Sequence, residues 1–298
     1  MRQVRAGTPR TERDGPRRYL PIRYRFDTRA IILSTEVEDS WDPQIRSQWH
    51  ENKAKVREHL IHQHGAEDNE RKIADFTELG AAPWSVLDEH NVFLSQTRTA
   101  FTQGAYYPAL VGACALGERI LNELVLRLRK DFSDHPATLK IAKTATTSNW
   151  NLAIEVLFQW GVVDDATATA LNDLRKLRNK SVHYGTHLRG RDARDDALAA
   201  VLLIQECVSW LFTPLGGPPR FIAGTSGNSY LTLDAENEPL VRRFYLPNCV
   251  LVSPLHQLSP DPARAGAILV SDDETYQDRF PSLSDEEFAQ HLGANRPS

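Results

Sequence analysis

Cysteine is scarce in this 298-residue sequence: three residues, Cys114, Cys207 and Cys249, far apart and each set among apolar neighbours. An odd number without close pairs excludes a disulfide framework and a cysteine zinc site, and predicts buried thiols in a reducing compartment. An excess of charge of one sign is lacking too. The net charge of -4 creates no basic bulk field, so contact with nucleic acid would need a local positive cleft. There is no long hydrophobic run. The longest, "ALAAVLLIQECVSWLF", is interrupted by Gln205 and Glu206 and predicts a buried helix rather than a membrane span. The arginine-rich N-terminus has no apolar core of the kind a signal peptide needs. No internal repeat is visible, and "GTSGNS" at 224–229 has neither the lysine nor the following helix of a phosphate-binding loop, so it reads as a hairpin turn. These absences lead to the expectation of a soluble, cytoplasmic protein with no membrane partner.

What is present is a composition with 41% hydrophobic and 25% charged residues, enough for a sizeable core. Residues 1–40 read as a basic, partly irregular arm with nine arginines between Arg2 and Arg29, solvated or laid along a phosphate backbone. Residues 41–82 read as a helical extension: Asp42 is placed to cap a helix, Pro43 to occupy its first turn, and Gly65 to end it. Residues 83–213 read as successive long helices. In the second of them Leu116, Ile120, Leu124 and Leu128 recur every four positions and form a core stripe. Ser148 and Gly161 bracket another helix. Two aspartates at 164 and 165 open the next, at its electropositive end, and Gly185 closes it. Short connections between such helices predict an antiparallel bundle. Residues 214–298 alternate short β-prone runs with turns, a small β-rich appendage. The fold expected is therefore mainly α: an antiparallel helical bundle with an N-terminal helical extension and a β-rich C-terminal region.

The residues with chemistry to offer lie in "LRNKSVHYG" at 177–185. Arg178 and His183 are five positions apart, about 140° from one another around a continuous helix, so they converge only if the helix frays or tightens at its end. An imidazole there meets the outward carbonyls and can exchange a proton near neutral pH. A guanidinium can fork two donors onto a phosphate and meet charge developing in a transition state. Asn179 could orient the imidazole or hold a phosphate oxygen. That is a set able to cleave RNA without a metal, using the 2′-hydroxyl as nucleophile. The spacing alone is weak, because it recurs at Arg57 and His62, and a basic helix cap explains the same residues equally well. His59, His62 and His64 suggest a metal cluster, but no carboxylate or cysteine completes a set and helical spacing separates His64, so a solvated face and no metal are expected.

An Arg-Asn-x-x-x-His segment late in a run of helices resembles the HEPN superfamily. The upstream "AFTQGAYYPALVGACALGERILNEL", with its aromatic pair and apolar stripe leading to Glu118, is similar to the early HEPN helices. The likeness covers about 85 to 213. It implies a bundle that dimerises and brings two motifs to one cleft. It further implies a metal-independent endoribonuclease, needing no cofactor, of toxin–antitoxin, abortive-infection or anti-phage defence systems. Its products would carry 2′,3′-cyclic phosphate and 5′-hydroxyl ends. The arginine role falls on Arg178, the polar neighbour on Asn179 and the histidine on His183. Tyr184 and His187 would stand near the cleft, and Glu118 would either border it or pair with a neighbouring arginine. Some HEPN toxins carry a tyrosine two positions after the histidine, modified by a partner nucleotidyltransferase; here that position is Gly185. Other members keep the bundle without catalysis and bind a nucleotide or partner, which is the alternative function. An antitoxin or other regulatory partner is implied in the first case, and a sensing role for the β-rich region is a third reading.

Overall fold

The computed structural model describes residues 2–22, 27–142, 149–182, 193–217, 219–263 and 268–294. The fold is mainly helical with two small antiparallel sheets. The chain divides into two units, residues 25–211 and residues 1–24 with 212–298. Among the described residues no helix is long and apolar enough to cross a membrane.

The first unit is built of helices whose ends follow local chemistry. After a short α1 (Arg29–Ser34), α2 spans Pro43–His64. The Asp42 carboxylate accepts from the amide of Gln44, Pro43 fills the first turn, and Gly65 leaves the helix at φ 86°, a conformation that glycine adopts without a Cβ clash. α3 (Asn69–Glu78) follows, and Leu60, Ile73, Phe76 and Ala30 of these helices make a small shared core. α4 (Asp88–Thr102) packs on α5 (Tyr106–Leu128), and α5 packs on both α6 (Trp150–Gln159) and α7 (Asp165–Val182). The expected stripe of Leu116, Ile120, Leu124 and Leu128 is buried along α5. α6 is capped by Asn149, whose side chain accepts from the amide of Leu152; Ser148, the cap expected from sequence, lies outside the described residues. Asp164 caps α7 through the amide of Thr167. α8 (Ala193–Phe212) carries the apolar run: Ala197, Ala200, Val201, Ile204 and Val208 on it are buried, whereas Leu202 and Trp210 are exposed.

In the second unit, β1 (Arg2–Gln3) pairs with the C-terminal strand of a three-stranded antiparallel sheet. β2 (Arg18–Pro21) pairs with β3 (Cys249–Val252) in register Arg18 to Val252. β4 (Gln257–Pro260) and β5 (Ile268–Asp272) complete the first sheet, and α9 (Tyr276–Arg279) and α10 (Asp285–Ala294) follow. The core joins Leu20 to Val250, Val252, Val270, Phe288 and Leu292. "GTSGNS" forms a tight turn inside an antiparallel bridge between Phe221 and Leu231, with Gly227 at φ 73°.

Sequence reading expected a basic N-terminal arm, but Arg17 and Arg18 are buried in this unit. Arg17 Nε donates to Asp272 at 2.8 Å, and Arg18 Nε donates to Asp285 at 2.6 Å while its guanidinium lies 5.3 Å from the Phe288 ring. Each buried cation thus meets a carboxylate and backbone carbonyls, the condition under which burial of charge is tolerated.

Candidate functional site

Gly117 decides the geometry around the expected site. A Cβ there would stand 2.7 Å from Leu174 Cδ2 and 2.9 Å from Trp150 Cη2, so a residue without a side chain lets α6 and α7 close onto α5. Glu118 is the next residue along α5, and Arg178 lies four residues beyond Leu174, on the same face of α7. The close approach at Gly117 therefore delivers Arg178 and Trp150 to the Glu118 carboxylate.

There Arg178 Nη2 stands 3.0 Å from Glu118 Oε2. The same oxygen accepts from Trp150 Nε1 at 3.4 Å, which gives the buried indole its hydrogen-bond partner. The guanidinium carbon lies 5.7 Å from the Trp150 ring centroid, a cation–π contact. Of the two readings for Glu118, pairing with an arginine is observed, and that arginine is Arg178. The pair is not sealed: the two side chains keep 27% and 36% of their surface. Cys114, one turn before Glu118, is buried, and burial pushes its thiol up to about 12 against the opposing charge of Arg178.

Asn179 is half-buried on the following position of α7, and Ser181 Oγ donates to the Arg178 carbonyl at 3.0 Å in the last turn. Exposed Lys180 adds a cation near the negative end of the helix dipole. His183, Tyr184 and His187 lie outside the described residues. The structure thus brings together Arg178 and Glu118 and adds Trp150, which sequence reasoning missed. The signal for it was present: an indole directly after the Asn149 cap, on the buried side of a short helix, must find an acceptor.

The other sequence candidates separate. His59 and His62 are exposed on α2, whereas His64 is buried at its end. Arg57 pairs with Glu70 at 2.7 Å. Among the described residues no three of His, Cys, Asp and Glu are grouped to hold a metal ion.

Chemically, a guanidinium held on one side by a carboxylate and an indole has its direction fixed, and among the described residues its remaining donors meet no other partner and can turn to an anion. Its charge is partly compensated, so a phosphate there shares the cation with Glu118. No family model, curated protein or solved structure matches this chain.

Proposed function

We propose that the protein is a metal-independent endoribonuclease of the HEPN type, acting as a homodimer in toxin–antitoxin, abortive-infection or anti-phage defence. The observation that supports this reading most is Arg178. It sits in the final turns of α7, oriented by Glu118 and Trp150 yet open to solvent, followed by Asn179 and, in sequence, by His183. In the proposed reaction a base, assigned to His183 of one subunit, takes the proton of the RNA 2′-hydroxyl. The O2′–P bond forms as the P–O5′ bond breaks, and the leaving 5′-oxygen takes a proton from the acid, assigned to His183 of the other subunit. Arg178 meets the charge that builds on the non-bridging oxygens, and Asn179 orients. A second reading, a non-catalytic module of the same family, draws support from the Glu118–Arg178 pair, because a compensated cation also serves as a tie between α5 and α7.

Purified protein incubated with total RNA, with and without EDTA, separates the two. Chelator-resistant cleavage leaving 2′,3′-cyclic phosphate ends, lost in both His183→Ala and Arg178→Lys, is expected. Intact RNA at every protein concentration, or cleavage that survives His183→Ala, overturns the nuclease reading.

A further inference from the structure

The end of α2, α3 and one face of α4 surround a cavity of about 150 Å³ that shares no lining residue with the Arg178 site. A void of that size holds a molecule about as large as benzene. Part of its wall is apolar, from Phe76, Leu94 and Pro83. Exposed Ser95 and Thr99 also line it, which opens it to solvent.

Its polar groups are unusual for a structural core. His64 is 6% exposed, yet both ring nitrogens lack a hydrogen-bond partner among the described residues, and the buried hydroxyl of Thr102 lacks one as well. The backbone holds His64 in place, because its carbonyl accepts from Lys72 Nζ at 2.8 Å and Gln103 Nε2 at 3.0 Å. Burial and the charges of Arg29 and Lys72 lower the imidazole pKa, so at neutral pH it offers one donor and one acceptor. Unmade hydrogen bonds on buried groups are costly and rare, and here two such residues face one space.

The charge on the wall is also unbalanced. Arg98 is buried, and among the described residues it donates only to neutral acceptors: the carbonyls of Leu79 at 3.3 Å and Gly80 at 2.7 Å, and the Gln205 side chain. Asp27, the carboxylate on the wall, is engaged through both oxygens by Arg29, at 2.9 and 2.8 Å. Arg29 and Arg98 therefore share the one carboxylate of Asp27, and among the described residues one positive charge is left over beside the cavity. Water can satisfy orphan hydrogen bonds, but it does not neutralise a charge.

We propose that this cavity binds a small planar organic carboxylate, its anionic group taken by Arg98, Thr102 and His64 and its ring by the wall of Phe76, Leu94 and Pro83. Binding is independent of the nuclease reading, since neither site uses a residue of the other.

The full-length protein titrated with benzoate, its neutral analogue benzamide and inorganic phosphate, by calorimetry and by the imidazole proton resonances of His64, tests this. Saturable benzoate binding, at least about tenfold tighter than benzamide and accompanied by a shift of the His64 resonances, is expected. His64→Leu and the near-isosteric Thr102→Val should each weaken benzoate about tenfold with an unchanged melting temperature. Absence of saturation by benzoate, equal binding of benzamide, phosphate binding without benzoate, or unweakened binding in Thr102→Val overturns the proposal. The benzoate-to-benzamide ratio is read on the unaltered chain and so stands whether or not a variant folds.

Discussion

Replacing Gly117 with alanine tests the packing that positions Arg178. In an open helix interior this change stabilises by about 1 kcal/mol, because glycine gives up more backbone freedom on folding. Here the new Cβ would meet Leu174 Cδ2 at 2.7 Å and Trp150 Cη2 at 2.9 Å, distances at which something must move. Leu174 is fully buried and Trp150 is 3% exposed, so neither has free space to enter. The indole is rigid, and tipping it aside breaks its hydrogen bond to Glu118. Overpacking of this kind costs about 1–3 kcal/mol. Set against the helix gain, the net effect runs from near zero to a loss of about 2 kcal/mol, and the melting temperature of a unit this size falls by about 2–4 °C per kcal/mol lost. Urea unfolding of the full chain measures it, with an unchanged m-value showing that the same surface is exposed. The indole N–H resonance of Trp150 should move, and Gly117→Ala combined with Leu174→Val should cost less than the two single changes added. A stabilisation of about 1 kcal/mol, the propensity gain alone, would refute the close approach of α6 and α7 to α5.

Three further outcomes follow from the same contacts. Asp272→Asn leaves Arg17 buried without its carboxylate and should destabilise by about 3–5 kcal/mol in urea unfolding; a loss below about 1 kcal/mol would remove the N-terminal arginines from the core of that unit. His64 has a pKa held below its ordinary 6.5 by burial and by Arg29 and Lys72, with Asp27 opposing, so the unfolded chain takes up its proton first. Stability from this group is complete above pH 6.5 and declines as the pH falls from there through the lowered folded value; His64→Leu should flatten that part of the stability–pH curve, and an unchanged slope would contradict its burial as a neutral imidazole. Burial pushes the thiols of Cys114 and Cys207 up to about 12 and that of Cys249 well above its ordinary value, so iodoacetamide at mildly alkaline pH should leave all three unmodified until the chain unfolds, and labelling of the native protein, read by mass spectrometry, would count against it.

The sequence was most informative where the cause is local. Asp42, Pro43 and Gly65 set the ends of α2 through one capping bond, one fixed φ and one left-handed residue, and the four-residue leucine and isoleucine spacing of α5 reports a buried face. The shift of the α6 cap from Ser148 to Asn149 marks the limit of this, since adjacent serine and asparagine offer the same chemistry. The apolar run of α8 was legible for the same reason.

Pairing between distant residues was not legible. Nothing near Arg17 or Arg18 distinguishes them from the other N-terminal arginines; Asp272 and Asp285, more than 250 positions away, together with backbone carbonyls, make their burial affordable. Glu118 could have bordered a cleft or met any arginine, and it is the contact at Gly117 that selects Arg178. His64 looked like one of three histidines on a helix, but the tertiary structure buries it in a cavity wall without a hydrogen-bond partner for its ring among the described residues. Sequence by itself determined where the helices start, stop and turn their apolar faces, because those depend on neighbours within a few residues. Tertiary structure alone decided which charges meet, because a side chain's partner is fixed by packing and not by its own identity.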